Sequence, residues 1–194
     1  MDIRHIFSTD DLESVLCFVR GILPTIGVSE GKYSCSFWLD QMNVYPDLLL
    51  YAKDGEVICG SVLGWVDNGT ITIGACCVDN TYRGKGIGRS LIVELEKRAK
   101  TLGFHSFSLG AVEDAEGFYE KIGFKGALLI QSKEYSIDDL LSLNNTYEVI
   151  YTNVYDGCIN QVCLKVPCAD RELQRQYETI FPGCGTQMVY KKIF

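Results

Sequence analysis

Histidine, paired cysteines and long apolar runs are all scarce or missing in this chain, and each shortage excludes something. Only two histidines, His5 and His105, occur among 194 residues, and neither has ligand-like neighbours. Nine cysteines are present, yet no C-x-x-C pair is. Cys158, Cys163 and Cys168 are spaced more widely than the ligand pairs of structural zinc sites, so no metal is expected. No apolar run approaches the roughly 18 residues of a membrane-spanning helix. The opening residues Asp2, Arg4 and His5 lack the pattern of a secretory signal. The expectation is therefore a reducing, cytoplasmic setting with free thiols rather than a disulfide framework. Most of the cysteines lie inside apolar runs, where a thiol behaves as a small hydrophobe. No internal repeat or low-complexity tract is found.

Basic residues are also in deficit. Eighteen Lys and Arg stand against 25 Asp and Glu, a net charge of -7. Such a surface repels nucleic acid and anionic membrane on average, so neither is expected as a partner. It tilts toward cationic acceptors, although the same charge also serves solubility. With 47% hydrophobic and 22% charged residues, the chain can bury a core without staples.

Periodicity and turn signals give an alternating order of elements. A short edge strand at 2–7 leads to Ser8-Thr9-Asp10-Asp11, an N-cap region. Leu12, Val15, Leu16 and Val19 then share one helical face. A second helix is expected at 33–43, stopped by Pro46. Strands follow at 47–53, 56–66 and 70–78, joined by Asp54-Gly55 and Asp67-Asn68-Gly69 turns, with Gly60 and Gly64 marking bulges or bends. Ile87, Leu91, Leu95, Ala99 and Leu102 make an apolar stripe ended by Gly103. A strand at 106–109, a helix at 115–122 and a strand at 124–130 come next. The last quarter reads as a short helix at 137–143, strands at 147–155 and 159–166 joined by Asp156-Gly157, a helix at 170–181 and a strand at 187–194. This β-β-α-β unit, within 132–194, is small for an independent domain. It either extends the sheet of a 1–131 catalytic domain or pairs with another subunit as a homodimer.

The run Val78-Asp79-Asn80-Thr81-Tyr82-Arg83-Gly84-Lys85-Gly86-Ile87-Gly88-Arg89-Ser90 concentrates chemistry. An apolar strand ends, a glycine-rich turn follows, and an amphipathic helix begins. A helix N-terminus presents unpaired N–H groups and a partial positive charge, which suits phosphate. The glycines let backbone approach a ligand, and Arg83, Lys85 and Arg89 add positive charge. A P-loop does not fit, because Arg83 stands where its first glycine belongs and Arg89 follows Gly88. Gly84, Gly86 and Gly88 give G-x-G-x-G rather than the dinucleotide G-x-G-x-x-G. The bland alternative is a tight turn carrying exposed basic residues.

Arg83-Gly84-Lys85-Gly86-Ile87-Gly88 resembles the R-G-x-G-I-G pyrophosphate loop of the GNAT superfamily of N-acyltransferases. Downstream, Ala115-Glu116-Gly117-Phe118-Tyr119-Glu120-Lys121-Ile122-Gly123-Phe124 resembles that family's A-x-x-F-Y-x-K-x-G-F signature. The resemblance is strongest from about Thr70 to Gly126. It implies a mixed, mostly antiparallel twisted α/β sheet flanked by helices, with the C-terminal β-β-α-β unit as an extension. It further implies acetyl-coenzyme A as cosubstrate and an amine of a small molecule or peptide as acceptor. Arg83, Gly84, Lys85, Gly86, Ile87, Gly88, Arg89 and Ser90 would hold the pyrophosphate. Backbone groups of Cys76 and Val78 would meet the pantetheine arm, the Val78 N–H serving as oxyanion donor. Tyr119 would be the general acid; as an aromatic on a short helix it also reads as packing.

Two departures from the family pattern stand out. Val112 occupies the place of a frequent asparagine seven residues before the tyrosine, and the strand at 70–78 carries no carboxylate. They motivate an alternative, a non-catalytic acyl-coenzyme A sensor. No general base is readable; Glu30, Asp40, Glu56 and Asp67 are acidic candidates that also read as surface groups. Cys76-Cys77 admits a nucleophile reading beside strand packing, since Cys77 precedes a positive loop.

Overall fold

Small polar side chains start the first helices. Ser8 accepts from the Asp11 N–H at 3.1 Å, beginning α1 (Thr9–Arg20), which buries Leu12, Val15, Leu16 and Val19. Ser34 accepts from the Phe37 N–H at 3.1 Å and begins α2 (Cys35–Val44). The expected start at residue 33 falls instead in a 3-10 turn, Gly31–Tyr33. A second 3-10 turn, Pro46–Leu48, displaces the expected start of the next strand. The fixed φ of Pro46 suits a turn's first position and not a strand.

In this computed structural model, which describes residues 1–27 and 30–194, the chain groups into two units. One is Met1–Ser108 with Ile193–Phe194; the other is Leu109–Lys192. In the first, β1 (Asp2–His5), β2 (Leu49–Asp54), β3 (Val57–Asp67) and β4 (Thr70–Val78) pair antiparallel in sequence order. β5 (Ser106–Gly110) runs parallel to β4, in register at Ile71↔Phe107 and Thr72↔Ser108. A parallel neighbour requires a crossover, and α3 (Ile87–Thr101) supplies it.

Alternation along the strands sorts the core into two layers. Leu49, Tyr51, Leu63, Trp65, Ala75 and Cys77 join Leu12, Leu16, Trp38 and Met42 in one buried cluster under α1 and α2. Gly60 faces the other way, toward α3: a Cβ there would lie 2.9 Å from Ile87 Cγ2 and 3.1 Å from Leu91 Cδ1. Bulges occur where glycine hinted at them, but the extra residues are one beside Gly60 and one on the strand opposite Gly64. Ala52↔Gly60 is followed by Lys53↔Ile58, leaving Cys59 over. Leu63↔Ala75 is followed by Gly64↔Ile73, leaving Gly74 over. At Gly74 the Trp65 ring lies where a Cβ would go, and Trp38 Cη2 would be 3.1 Å away.

The second unit holds α4 (Glu113–Lys121), β6 (Lys125–Ser132), α5 (Ile137–Leu141), β7 (Val149–Tyr155), β8 (Ile159–Leu164), α6 (Arg171–Ile180) and β9 (Gly185–Ile193), whose last residue belongs to the first unit. Its strand order is β9-β6-β8-β7, antiparallel throughout. β6, which the sequence places at the end of the first domain, is central here. Tyr177 on α6 is fully buried and donates to the Leu140 carbonyl on α5 at 2.7 Å. The strands and helices make the expected mixed, mostly antiparallel α/β fold.

Gly74→Ala is expected to destabilise the chain by about 1–3 kcal/mol through overpacking, read as a lower urea midpoint. A Cβ added at Gly117 on α4 would meet nothing within 4 Å. Gly117→Ala is therefore expected to raise that midpoint, by the equivalent of about 0.4–1 kcal/mol.

Candidate functional site

β4 delivers the chain to a tightly organised turn. The Asp79 carboxylate accepts from the Thr81 N–H at 2.9 Å and from its hydroxyl at 2.5 Å. The hydroxyl bond and then the amide bond hold this exposed carboxyl below the usual range. A 3-10 turn, Asn80–Tyr82, follows. Gly84 and Gly86 then adopt φ of 77° and 82°, a left-handed conformation that glycine takes at little cost. Ser90 N–H donates to the Gly86 carbonyl at 3.0 Å and opens α3. Residues 84–89 therefore present a row of backbone N–H groups that have no protein acceptor among the described residues. Such a row, at the positive end of a 15-residue helix, is suited to an anion.

The side chains around this row divide by role. Arg83, Lys85 and Arg89 are exposed. Arg83 Nε donates to the Val78 carbonyl at 3.4 Å, and Lys85 Nζ lies 4.6 Å from the centre of the Tyr82 ring. Tyr82 in turn donates to Asp54 at 3.3 Å. Ile87 and Gly88 are buried, so Ile87 anchors the turn against β3 and contributes only backbone to its surface. Ser90 is half-buried.

The edge of β4 follows from its pairing. Asp79 N–H donates to the Cys59 carbonyl at 3.1 Å. In an antiparallel ladder such pairs alternate with pairs whose amides turn outward. Val78, opposite Gly60, and Cys76, opposite Val62, occupy the outward positions. Their N–H and C=O groups point away from β3.

The thiol of Cys77 faces the buried cluster. Burial pushes it up to about 12, against a smaller opposing pull from Arg83. A thiol held protonated is no nucleophile near neutral pH, so packing is its role. The acidic candidates are surface groups: Glu30, Asp40 and Glu56 are exposed, and Asp67 pairs with Lys32 at 3.5 Å.

Tyr119 lies in the second unit, on α4. It is 6% exposed, with ring centres of Phe118, Phe124 and Tyr190 at 5.1, 5.5 and 5.9 Å. Val112 caps α4 without a side-chain hydrogen bond and is exposed. What the sequence reading missed is a polar cavity of about 670 Å³ in this unit, lined by residues of α4, β6, α6 and β9. Its one sequence signal was the polar spacing Arg171, Gln174, Glu178 along the last helix. Among the described residues, no group of three or more His, Cys, Asp or Glu is arranged to hold a metal ion, and no helix is long and apolar enough to cross a membrane.

Thiol accessibility gives a direct check. Cys17, Cys35, Cys158 and Cys168 are exposed, whereas Cys59, Cys77, Cys163 and Cys184 are buried. The exposed set is expected to react with a disulfide reagent in the native chain, and the buried set only after unfolding. Ionisation of Cys77 also predicts a pH trend. Its folded value exceeds the unfolded one, so its contribution is intact below about pH 9 and is lost as pH rises toward 12. Alkaline unfolding of Cys77→Ala should show a shallower stability loss over that window.

Comparison with known proteins adds a consistent picture. The uncharacterized protein YyaT of Bacillus subtilis is 26% identical over 153 residues, 77% of this chain and 97% of that one. An acetyltransferase of Pectobacterium atrosepticum is 33% identical over 105 residues, 49% of this chain and 74% of the relative. The PaiA N-acetyltransferase of Thermoplasma acidophilum, solved in complex with coenzyme A, shares the fold with a TM-score of 0.51 at 19% identity, covering 86% of this chain and 100% of that one. The model of the acetyltransferase (GNAT) family matches residues 23–124, 102 of the 194. That span holds both the turn at the start of α3 and the segment around Tyr119, and the chain belongs to the GNAT acetyltransferase family.

Proposed function

We propose that this acyltransferase moves the acetyl group of acetyl-coenzyme A directly onto an amine of a small molecule or peptide. The observation that carries the reading is the row of N–H groups at residues 84–89, which begins with two left-handed glycines and is accompanied by three exposed cations. A pyrophosphate needs such donors and charge, and a coenzyme A complex of a protein with this fold supports the choice. Arg83, Gly84, Lys85, Gly86, Ile87, Gly88, Arg89 and Ser90 hold the pyrophosphate, the glycines and Ile87 through backbone. Outward amides of Cys76 and Val78 take the pantetheine arm.

The chemistry assigned to this chain's residues is short. The amine nitrogen bonds to the thioester carbonyl carbon, and the Val78 N–H steadies the oxygen that gains charge. The carbon–sulfur bond then breaks, Tyr119 gives a proton to the departing thiolate, and the amine loses its proton to water. Residues 1–131 form the catalytic portion and 132–194 the extension.

Thermal unfolding with and without acetyl-coenzyme A tests the binding step. A native-state ligand at a hundredfold excess over its dissociation constant adds about 2.7 kcal/mol. The gain is expected in the wild type and in Tyr119→Phe, and should largely vanish in Arg83→Ala. Absence of any gain at millimolar ligand overturns the assignment. Tyr119→Phe is expected to lower kcat by about 10²–10⁴ at little change in acetyl-coenzyme A affinity. Val112 in place of the family's asparagine favours a second reading, a sensor that binds without turnover; it predicts the same stabilisation but no release of coenzyme A with any amine.

A further inference from the structure

The cavity in the second unit has a definite chemistry. Its volume, about 670 Å³, lies in the range of small-molecule sites, and its wall is polar where such sites are mostly apolar. Two guanidinium groups and three carboxylates line it. Arg171 is fully engaged: it donates to Glu116 at 2.6 Å and to Gln174 at 2.7 Å, and its Nε lies 3.3 Å from Glu113. Glu116 and Gln174 are each only 8% exposed, so this cluster is a fixed wall. Arg175 is engaged with Glu172 at 2.9 Å, outside the lining.

Glu178 differs from the other carboxylates. It accepts from the Thr186 hydroxyl at 2.7 Å, and among the described residues no Lys or Arg pairs with it. The pocket thus has more carboxylate than guanidinium charge, and Glu178 is the lining carboxylate with no cationic partner among the described residues. Neutral hydrogen-bonding groups share the lining with it. Gln131 accepts from Gln161 through its Oε1 at 3.0 Å, which turns its amide NH₂ to donate elsewhere. Gln187 donates to the Ala111 carbonyl at 3.4 Å, and its amide lies over Gly110, where a Cβ would come within 2.7 Å of it. Its Oε1 is thereby held as an acceptor.

We infer that this pocket binds the acceptor, and that the acceptor is a hydroxyl-rich polyamine: an ammonium group other than the amine that is acylated meets Glu178, and its hydroxyls meet the amides of Gln131 and Gln187. The identification of the occupant as acceptor rests on the acetyl-transfer reading; the pocket's preference for such a cation does not. The extension at 132–194 therefore shapes acceptor specificity, through α6 and the start of β9.

Calorimetric titration of the full chain, without acetyl-coenzyme A, tests the preference. The probes are kanamycin, a polyamine on a hydroxyl-rich skeleton, and hexylamine, an amine without hydroxyls. Saturable binding of kanamycin is expected, weakened about tenfold in Glu178→Gln and unchanged in Asp138→Asn, a change on the same unit outside the lining. Both substitutions are at exposed positions, so folding is retained. No saturable binding of kanamycin, equal affinity for Glu178→Gln, or hexylamine binding as tightly as kanamycin overturns the inference. A second measurement separates it from the reading it rests on. With acetyl-coenzyme A and kanamycin, release of coenzyme A that is the same in wild type and Glu178→Gln removes the pocket from the reaction and leaves acetyl transfer standing. Binding that depends on Glu178 with no release of coenzyme A leaves the pocket's preference standing and overturns the identification of its occupant as the acceptor.

Discussion

The close approach of α3 to β3 is the constraint on which the first unit depends. Ile87 and Leu91 lie where the Cβ of any residue but glycine at position 60 would intrude. That contact sets the first turn of the helix against a strand that is itself paired with β4, in unbroken register from Gly60 to Leu63. Recognition by backbone N–H groups has no side-chain flexibility to correct a misplaced helix, so the donors are only as well aimed as the helix is well seated. The second core layer, with Trp38 and Trp65 closing on Gly74, holds the opposite face of the same strands. The turn at residues 83–90 is thus a surface feature whose geometry is fixed from below.

Much of this is legible in the sequence because local signals and tertiary needs agree. Thr70–Val78 reads as a strand with the bounds it has, since it is rich in β-branched residues and lies between two turns. Asn68 and Gly69 take the positive φ that their turn requires, as do Asp156 and Gly157. α4 starts two residues before its expected position, a start the sequence does not signal because Val112 is no capping residue; acidic Glu113, Asp114 and Glu116 in the first turn are the remaining sign. The bulged residues Cys59 and Gly74 are out of reach, since a bulge is defined by the partner strand's register and not by its own sequence. Leu102 continues the apolar stripe by spacing yet lies past the end of α3 and is 39% exposed.

The site is legible only as far as its motifs run. The turn residues announce themselves by glycine spacing and charge, and their backbone geometry is of the kind those residue types permit. The polar cavity does not, because its wall is assembled from segments far apart in sequence: Glu116 on α4, Arg171 and Gln174 on α6, and Thr186 on β9. Each looks like a solvated surface residue in its own stretch. Only the fold turns Glu116 into a buried carboxylate matched by a guanidinium, an arrangement that costs desolvation unless every partner is present.

The placement of the two tryptophans has a practical corollary. The chain has two, Trp38 and Trp65, and their rings sit 5.8 Å apart in the core of the first unit. The second unit has none, but it buries tyrosines such as Tyr177 and Tyr190. Indole emission therefore reports the loss of one unit alone, whereas the near-ultraviolet absorption of tyrosine, buried in both units, responds to the loss of either. The molecule carries two built-in optical probes, and comparing their melting curves reveals whether its halves come apart together or in turn.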